Sequence, residues 1–501
     1  MRIGKQTFLS ALPVGLGIVL MAGCHGPVEH PSSTGPLVSV ATGTLVTFGT
    51  DIPICGTESM VMTITSASLI PSGGAGSGAG TAVPIITSTA PATVDFARLT
   101  DFTTILATAP VAPGTYNQLQ MTLTNPQLTL LNTATSPPSA QSLTAIFPNN
   151  STTDTITVNI SPALKITSNI TTGITMDFDL RDSLQVDAYG QVTGTIDPEF
   201  ILTPVTASGT TVGEADSLYG IIQSVALPVP TGFTGAFGLT LHDGTGQTLT
   251  ILADNKTVFE GDGVTSFSGL TAGTFVEVDA IVSTNGQIVA QIVDSEEQAS
   301  VASQKSAFLG TVISITRDGL GNATAFTLLV NDEVPDLSGT IPLYSGLNVT
   351  LSGSTHYFTN WGPWNLQSFI FGPTALGLAQ KVAVFGVLVP GSPPALTANQ
   401  VFLRPRGVLG NFNLLEVAGS GAFTMTPCGA LFGGKTVTVL TYTNTVFNGI
   451  SGLADLTTSP TIDSYGVLFY EQSSGTEING TATWTPPTWV LQAKGVHQLP
   501  N

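Results

Sequence analysis

The sequence predicts an all-β protein, an N-terminal antiparallel β-sandwich followed by three repeated small five-stranded, OB-like β-barrels. Three observations predict it. Apolar and polar residues alternate with period two in short bursts bounded by turn residues. The chain of 501 residues is 42% hydrophobic and only 9% charged, so it must bury a core, while 55 Gly and 32 Pro break it into short elements. One five-strand pattern recurs through the second half.

At the N-terminus, Arg2 and Lys5 precede an apolar stretch over residues 8–21 and the small pair Ala22-Gly23. This is the order of a signal peptide. Because Cys24 comes next, the segment resembles a lipobox, which implies removal of residues 1–23 and a diacylated Cys24 as first residue. Residues 24–36 are rich in Pro, Ser and Gly and read as a flexible tether. His25 stands where an Asp retains lipoproteins in the inner membrane, which directs the expectation to the outer membrane or cell surface. The formal net charge of −19 becomes −21 when Arg2 and Lys5 leave with the leader. That excludes nucleic acid as a partner, since phosphate binding needs clustered Lys and Arg.

Residues 37–205 carry the sandwich. Met62 and Ile64 alternate with Val61, Thr63 and Thr65; Leu119, Met121 and Leu123 share one face; Ile156, Val158 and Ile160, then Met176, Phe178 and Leu180, repeat the pattern. β-Branched residues fit such pleated, half-buried surfaces. Residues 71–80 are a Gly/Ser/Ala loop. Phe96, Leu99, Phe102 and Leu106 stand at helical spacing and predict one short helix over 94–106.

The repeats are placed at 217–295, 307–404 and 405–495. Their first strands open on Tyr219-Gly220-Ile221, Leu309-Gly310-Thr311 and Arg406-Gly407-Val408, where glycine suits a barrel corner. A Phe-bearing strand follows, then a third strand leading to a kink and an aromatic: Thr257-Val258-Phe259, His356-Tyr357-Phe358 and Thr445-Val446-Phe447. Five strands cannot bury two sheets, so a closed barrel is the economical architecture.

The segment Val94-Asp95-Phe96, then Val111-Ala112-Pro113-Gly114-Thr115-Tyr116 and Leu119-Gln120-Met121-Thr122-Leu123, resembles an uncharacterised bacterial domain family found at the start of exported lipoproteins. The Gly-x-Ile/Val openings and Thr-x-Val-Phe kinks resemble a second uncharacterised family of small barrels that often follows it. The resemblance implies fold and implies no catalytic residue.

No His-Glu-x-x-His, nucleophile elbow or phosphate loop occurs, and the five histidines include two in the tether. His242 beside Asp243-Gly244 reads as a hairpin-turn residue. Asp177, Asp179 and Arg181 read as one salt-bridged strand face, and Asp254, Glu260 and Asp262 as a weak calcium site. Cys55 and Cys428 either form one disulfide or remain two separate buried thiols. Tyr357, Trp361 and Trp364 form the candidate ligand-contact loop, because sugar rings stack on flat aromatic faces; Trp484 and Trp489 close the third repeat. The expectation is a non-enzymatic, lipid-anchored envelope lipoprotein without cofactor or metal, a binding or surface-structural module contacting glycan or protein. A carboxylate-dependent polysaccharide hydrolase and a purely structural spacer are the alternatives.

Overall fold

The computed structural model describes residues 41–501 except 53–55, 74–80, 100–102, 188–191, 243–245, 262–263, 296–304, 335–340, 360–369, 416–420, 457–460, 473–474, 477–482, 485–486 and 499–501. Twelve strands build the first layer: β1 (Gly43–Ile52), β2 (Thr57–Pro71), β3 (Val83–Ile86), β4 (Ala92–Asp95), β5 (Thr104–Val111), β6 (Gly114–Asn132), β7 (Ser139–Leu143), β8 (Thr153–Ile166), β9 (Thr171–Asp179), β10 (Leu184–Val186), β11 (Val192–Ile196) and β12 (Phe200–Val205). The main sheet runs β3-β2-β6-β8-β12-β9-β1-β5, with β4 on β2 and β7 on β6. Its pairings are antiparallel except β1–β9 and β8–β12, which are parallel. Strands from both ends of that order share one core, in which Met62, Ile64, Leu119 and Met121 meet Leu45, Leu106, Ile174 and Met176. The alternation read from the sequence is therefore the inward face.

The helix expected over 94–106 is instead β4, a 3₁₀ turn (Phe96–Leu99) and β5. β5 pairs with β1 on either side of Leu106, which the ladder skips at a bulge between Ile105 and Ala107 and which is buried in the core, while Phe96 and Leu99 are buried by the turn. Phe96 lies 4.7 Å from Phe178 and 5.8 Å from Phe200, ring to ring. Arg181 also leaves its expected strand face. β9 ends at Asp179, whose carboxylate accepts the Asp182 N–H and caps a helical turn, Leu180–Ser183.

Three barrels follow. The first contains β13 (Thr211–Ser224), β14 (Gly235–Leu241), β15 (Thr248–Ala253), β16 (Val258–Gly261), β17 (Phe275–Ser283) and β18 (Ile288–Ser295). The second contains β19 (Lys305–Arg317), β20 (Ala323–Val334), β21 (Gly346–Thr350), β22 (His356–Thr359), β23 (Lys381–Val389) and the first half of β24 (Ala395–Leu415). The third takes the second half of β24, then β25 (Ala422–Pro427), β26 (Val437–Leu440), β27 (Val446–Asn448), β28 (Thr461–Glu471), the short pair β29 (Gly475–Thr476) and β30 (Thr483–Trp484), and β31 (Thr488–Gln498). In each, the first strand pairs antiparallel with the second and fourth. The third strand closes the barrel by pairing parallel with the last, as β15–β18, β21–β24 and β26–β31. The expected kinks are short sixth strands, β16, β22 and β27, parallel to the same last strand.

A threonine sets each of these strands in place. Thr257, Thr355 and Thr445 donate their hydroxyls to the carbonyls of Ala290, Ala398 and Ala493, at 2.9, 2.9 and 2.7 Å. Each hydroxyl also accepts a backbone N–H three residues earlier. The first-strand glycine of the third barrel is Gly410 rather than Gly407. A Cβ at Gly220, Gly310 or Gly410 would lie 2.4, 2.0 or 2.3 Å from a carbonyl of the second strand, and no side chain fits there.

Residues 41–501 form one compact unit. Phe48 of β1 enters the first barrel's core with Val46 and Ile105. Tyr219, Phe275, Leu309, Phe385 and Phe402 fill the seam between the first and second barrels. Trp489, buried and not available as a sugar platform, donates its indole N–H to Leu378 O at 3.0 Å and ties the third barrel to the second. Arg404, fully buried, donates to Glu277 (2.5 Å) and Asp294 (3.2 Å) of the first barrel. Removing that cation strands two buried carboxylates. Arg404→Leu should cost about 3–5 kcal/mol in urea unfolding, and adding Glu277→Gln and Asp294→Asn should recover much of it. A single variant as stable as the parent would contradict this account of the seam.

Candidate functional site

Where the first sheet meets the second and third barrels, a cavity of about 290 Å³ opens. Its apolar wall includes Leu131, Leu180, Leu409, Leu431 and Phe432; its polar wall carries Glu58, Arg98, Lys381, Arg406 and Asp463. The chain has only 13 Lys and Arg in total, and three of them stand here. Local structure explains how they arrive. Glu58 is on β2, Arg98 on the 3₁₀ turn after β4, Lys381 at the start of β23, Arg406 midway along β24 and Asp463 on β28.

The surrounding bonds fix Arg98 and Arg406. Arg98 Nη2 meets Asp332 Oδ2 at 2.9 Å, and the other oxygen of Asp332 lies 3.5 Å from His242 Nδ1. His242 is thus a seam residue from the first barrel, packed edge-on to Phe275, rather than a simple turn residue. Tyr344 donates to Asp95 Oδ2 at 2.6 Å, and Asp95 Oδ1 accepts the Met60 N–H at 2.8 Å. Arg406 donates Nε–H to Gly407 O at 3.0 Å and Nη1–H to Ala379 O. Ala379 lines the cavity at φ +64°, a left-handed conformation costly for a residue with a Cβ.

Electrostatics follow from burial. Burial opposes the charge of Arg98, yet Asp332 overrides it and holds the guanidinium above its ordinary range. Burial would raise the Asp332 carboxyl, but Arg98 and His242 hold it low. Burial lifts Glu58 toward its neutral form, with Arg406 and Lys381 opposing. Lys381 is pushed down to about 8, first by burial and then by the neighbouring Arg98 and Arg406.

Other expected site residues fall elsewhere. Tyr357 is half-buried, edge-on to Phe371 at 5.6 Å, with burial pushing its hydroxyl up to about 12. Trp361 and Trp364 lie outside the described residues, as do Cys24 and Cys55. Cys428 lines the cavity and is disulfide-bonded. Asp254 caps its own turn, accepting the N–H groups of Lys256 (2.7 Å) and Thr257 (3.1 Å). Among the described residues no group of three His, Cys, Asp or Glu could hold a metal, and no helix is long and apolar enough to cross a membrane.

The Gly-Thr-Tyr turn singled out in the sequence closes on itself, Tyr116 O–H donating to Ala112 O at 2.8 Å as β6 begins. Residues 42–204 match a family described as Domain of unknown function (DUF4382). That segment supplies Glu58 and Arg98 to the cavity. No curated protein matches the chain. A solved structure described as "drosophila Unr CSD456" matches at 8% identity over 57% of this chain and 98% of its own, with a TM-score of 0.14, too low to bear on fold or function.

Two outcomes check this site. Below about pH 8, Lys381 is protonated in both folded and unfolded chains; between about 8 and its ordinary 10.5 the unfolded chain binds more protons, so stability rises with pH. Lys381→Met should therefore lack that rise and, at pH 7, melt about 1–2 °C higher than the parent; an identical pH profile in the two proteins would contradict the assignment. Non-reducing peptide mapping should recover Cys428 joined to Cys55. Recovery of Cys428 with another partner, or as a free thiol, would contradict that pairing.

Proposed function

We propose that the protein is an exported, lipid-anchored binding module of the cell envelope, carried at the outer membrane or cell surface, that holds a small ligand in the junctional cavity without turning it over. The observation that carries this reading is the gathering of Arg98, Lys381 and Arg406 around one cavity in a chain of net charge −19. Burying cations is costly unless something offsets the cost. Elsewhere in the junction the offset is plain, as at Arg98–Asp332. Burial, with Arg98 and Arg406 nearby, depresses Lys381 to about 8, while Glu277 and Asp95 act in the opposite direction. Groups with strongly perturbed proton affinity in a cleft point to a functional site.

Arg98 and Arg406 are held by bonds to the scaffold, which suits positioning of a ligand more than relay of protons. The lipobox-like Cys24 supports the anchor, and the tether supplies reach from the membrane. Glycan or envelope-protein contact through the loop bearing Trp361 and Trp364 remains part of the proposal as a second surface.

Two measurements test the reading on the full chain expressed in its envelope. Labelling with an alkyne-bearing palmitate should mark the parent and leave Cys24→Ala unmarked; equal labelling of both would remove the anchor. Ala430, at an exposed rim position of the cavity, gives the second. Small-molecule screening by thermal shift should find stabilisers of the parent that no longer act on Ala430→Trp, because the indole fills the mouth. Stabilisers acting equally on both would remove the cavity from the account.

A further inference from the structure

We propose that the cavity takes an uncharged amide, a lactam, cyclic imide or primary carboxamide on a compact hydrocarbon body, and that Asn331 recognises its N–H and C=O. This inference rests on reading the cavity as a ligand site and adds the chemical class. Asn331 stands on β20 where Val330 lies opposite Gly310 and Asp332 opposite Leu309, so it is the residue the ladder to β19 skips at a bulge. A bulge re-aims a side chain. Val330 is buried in the second barrel's core and Asp332 answers Arg98, while Asn331 between them lines the cavity. Its relative exposure is 7%, and among the described residues its side-chain amide has no hydrogen-bond partner. Buried side-chain amides are bonded in the large majority of cases. A ligand that displaces water from such a group must reproduce its bonds or lose affinity.

The head group follows from what Asn331 offers and from what the charges do not. Its amide sets N–H donors beside a C=O acceptor in one plane. A lactam or carboxamide presents the same pair and satisfies both at once, whereas a ketone or ether only accepts. Thr311, beside Asn331 in the lining, adds a hydroxyl. The charged groups are already engaged within the protein. Arg98 pairs with Asp332, Arg406 donates to two carbonyls, Glu277 and Asp95 act on Lys381, and Lys381, Arg406 and Asp463 have further interactions. A charged ligand would give up its hydration there without an unengaged ion to meet it.

The opposite wall sets the body. Leu131, Leu409, Leu431 and Phe432 form it, and a hydrocarbon gains against them by leaving water. The volume of about 290 Å³ lies at the small end of ligand sites and suits one ring with a short substituent. Leu131 comes from the first sheet, Asn331 from the second barrel, Leu431 and Phe432 from the third. The site exists only because these parts are joined.

The experiment is calorimetric titration of the purified full chain at pH 7 with three matched probes: caprolactam, cycloheptanone, which keeps the ring and the acceptor but lacks the N–H, and cyclohexanecarboxylate. Caprolactam should bind, and cycloheptanone should bind about tenfold more weakly, the worth of one neutral hydrogen bond. Asn331→Leu should erase that difference. It should also melt no lower than the parent, because Asn331 has no bond in the fold to lose; a lower melting temperature would make Asn331 a structural residue and overturn the proposal. Equal binding of caprolactam and cycloheptanone by the parent, lost in Ala430→Trp, would overturn the amide class while leaving the cavity as a ligand site. Cyclohexanecarboxylate binding more tightly than caprolactam would overturn the uncharged class. Caprolactam binding that survives in Ala430→Trp would overturn both readings, because the ligand then sits elsewhere. Absence of binding by all three probes would overturn the proposed class.

Discussion

Buried charge answered across seams is the constraint on which the rest of the structure depends. A chain so poor in cations cannot scatter them, and it places several where two parts meet. Asp332 of the second barrel draws Arg98 from the first sheet and His242 from the first barrel. Arg404 reaches from the second barrel to Glu277 and Asp294 of the first. Lys494 of the third barrel reaches Asp216 of the first at 3.4 Å. Each ion pair is satisfied in one docking geometry and stranded in others, so these pairs choose the arrangement even where apolar packing supplies most of the attraction.

The barrels make such seams available. Each closes its own small core, leaving its outer surface free to carry a second apolar patch. The strand running from Ala395 to Leu415 closes the second barrel and opens the third without a linker, which brings Lys381, Arg406 and Asp463 together across one short stretch of sheet. Threonine hydroxyls bonded to the last strand hold the sixth strands identically in all three barrels. A rigid frame of this kind can keep a cavity open at a junction, where a loosely linked chain would let it collapse.

Much of the architecture was legible because it is local. Period two in Leu119, Met121 and Leu123 marks an inward strand face whatever its partners, and a recurring strand order marks recurring barrels. Two local signals misled. The spacing of Phe96, Leu99 and Leu106 fits a helix, but pairing with β1 makes the stretch from Thr104 onward a strand. Gly407 looks like the equivalent of Gly220 and Gly310, yet only Gly410 meets the backbone of the second strand. The cavity was not legible, since Arg98 and Asp332 stand 234 positions apart and no spacing rule links them. A weaker signal was available: Arg98, Lys381 and Arg406 are scarce cations within apolar surroundings, and a lysine beside Val382, Ala383 and Val384 is already unusual.

The account therefore makes the first sheet and the three barrels one cooperative body whose junction is itself the site. Scanning calorimetry of the full chain at pH 7 tests this most directly. The account predicts a single transition whose calorimetric enthalpy equals its van't Hoff enthalpy. Separate transitions, with one barrel melting while the rest stays folded, would contradict it.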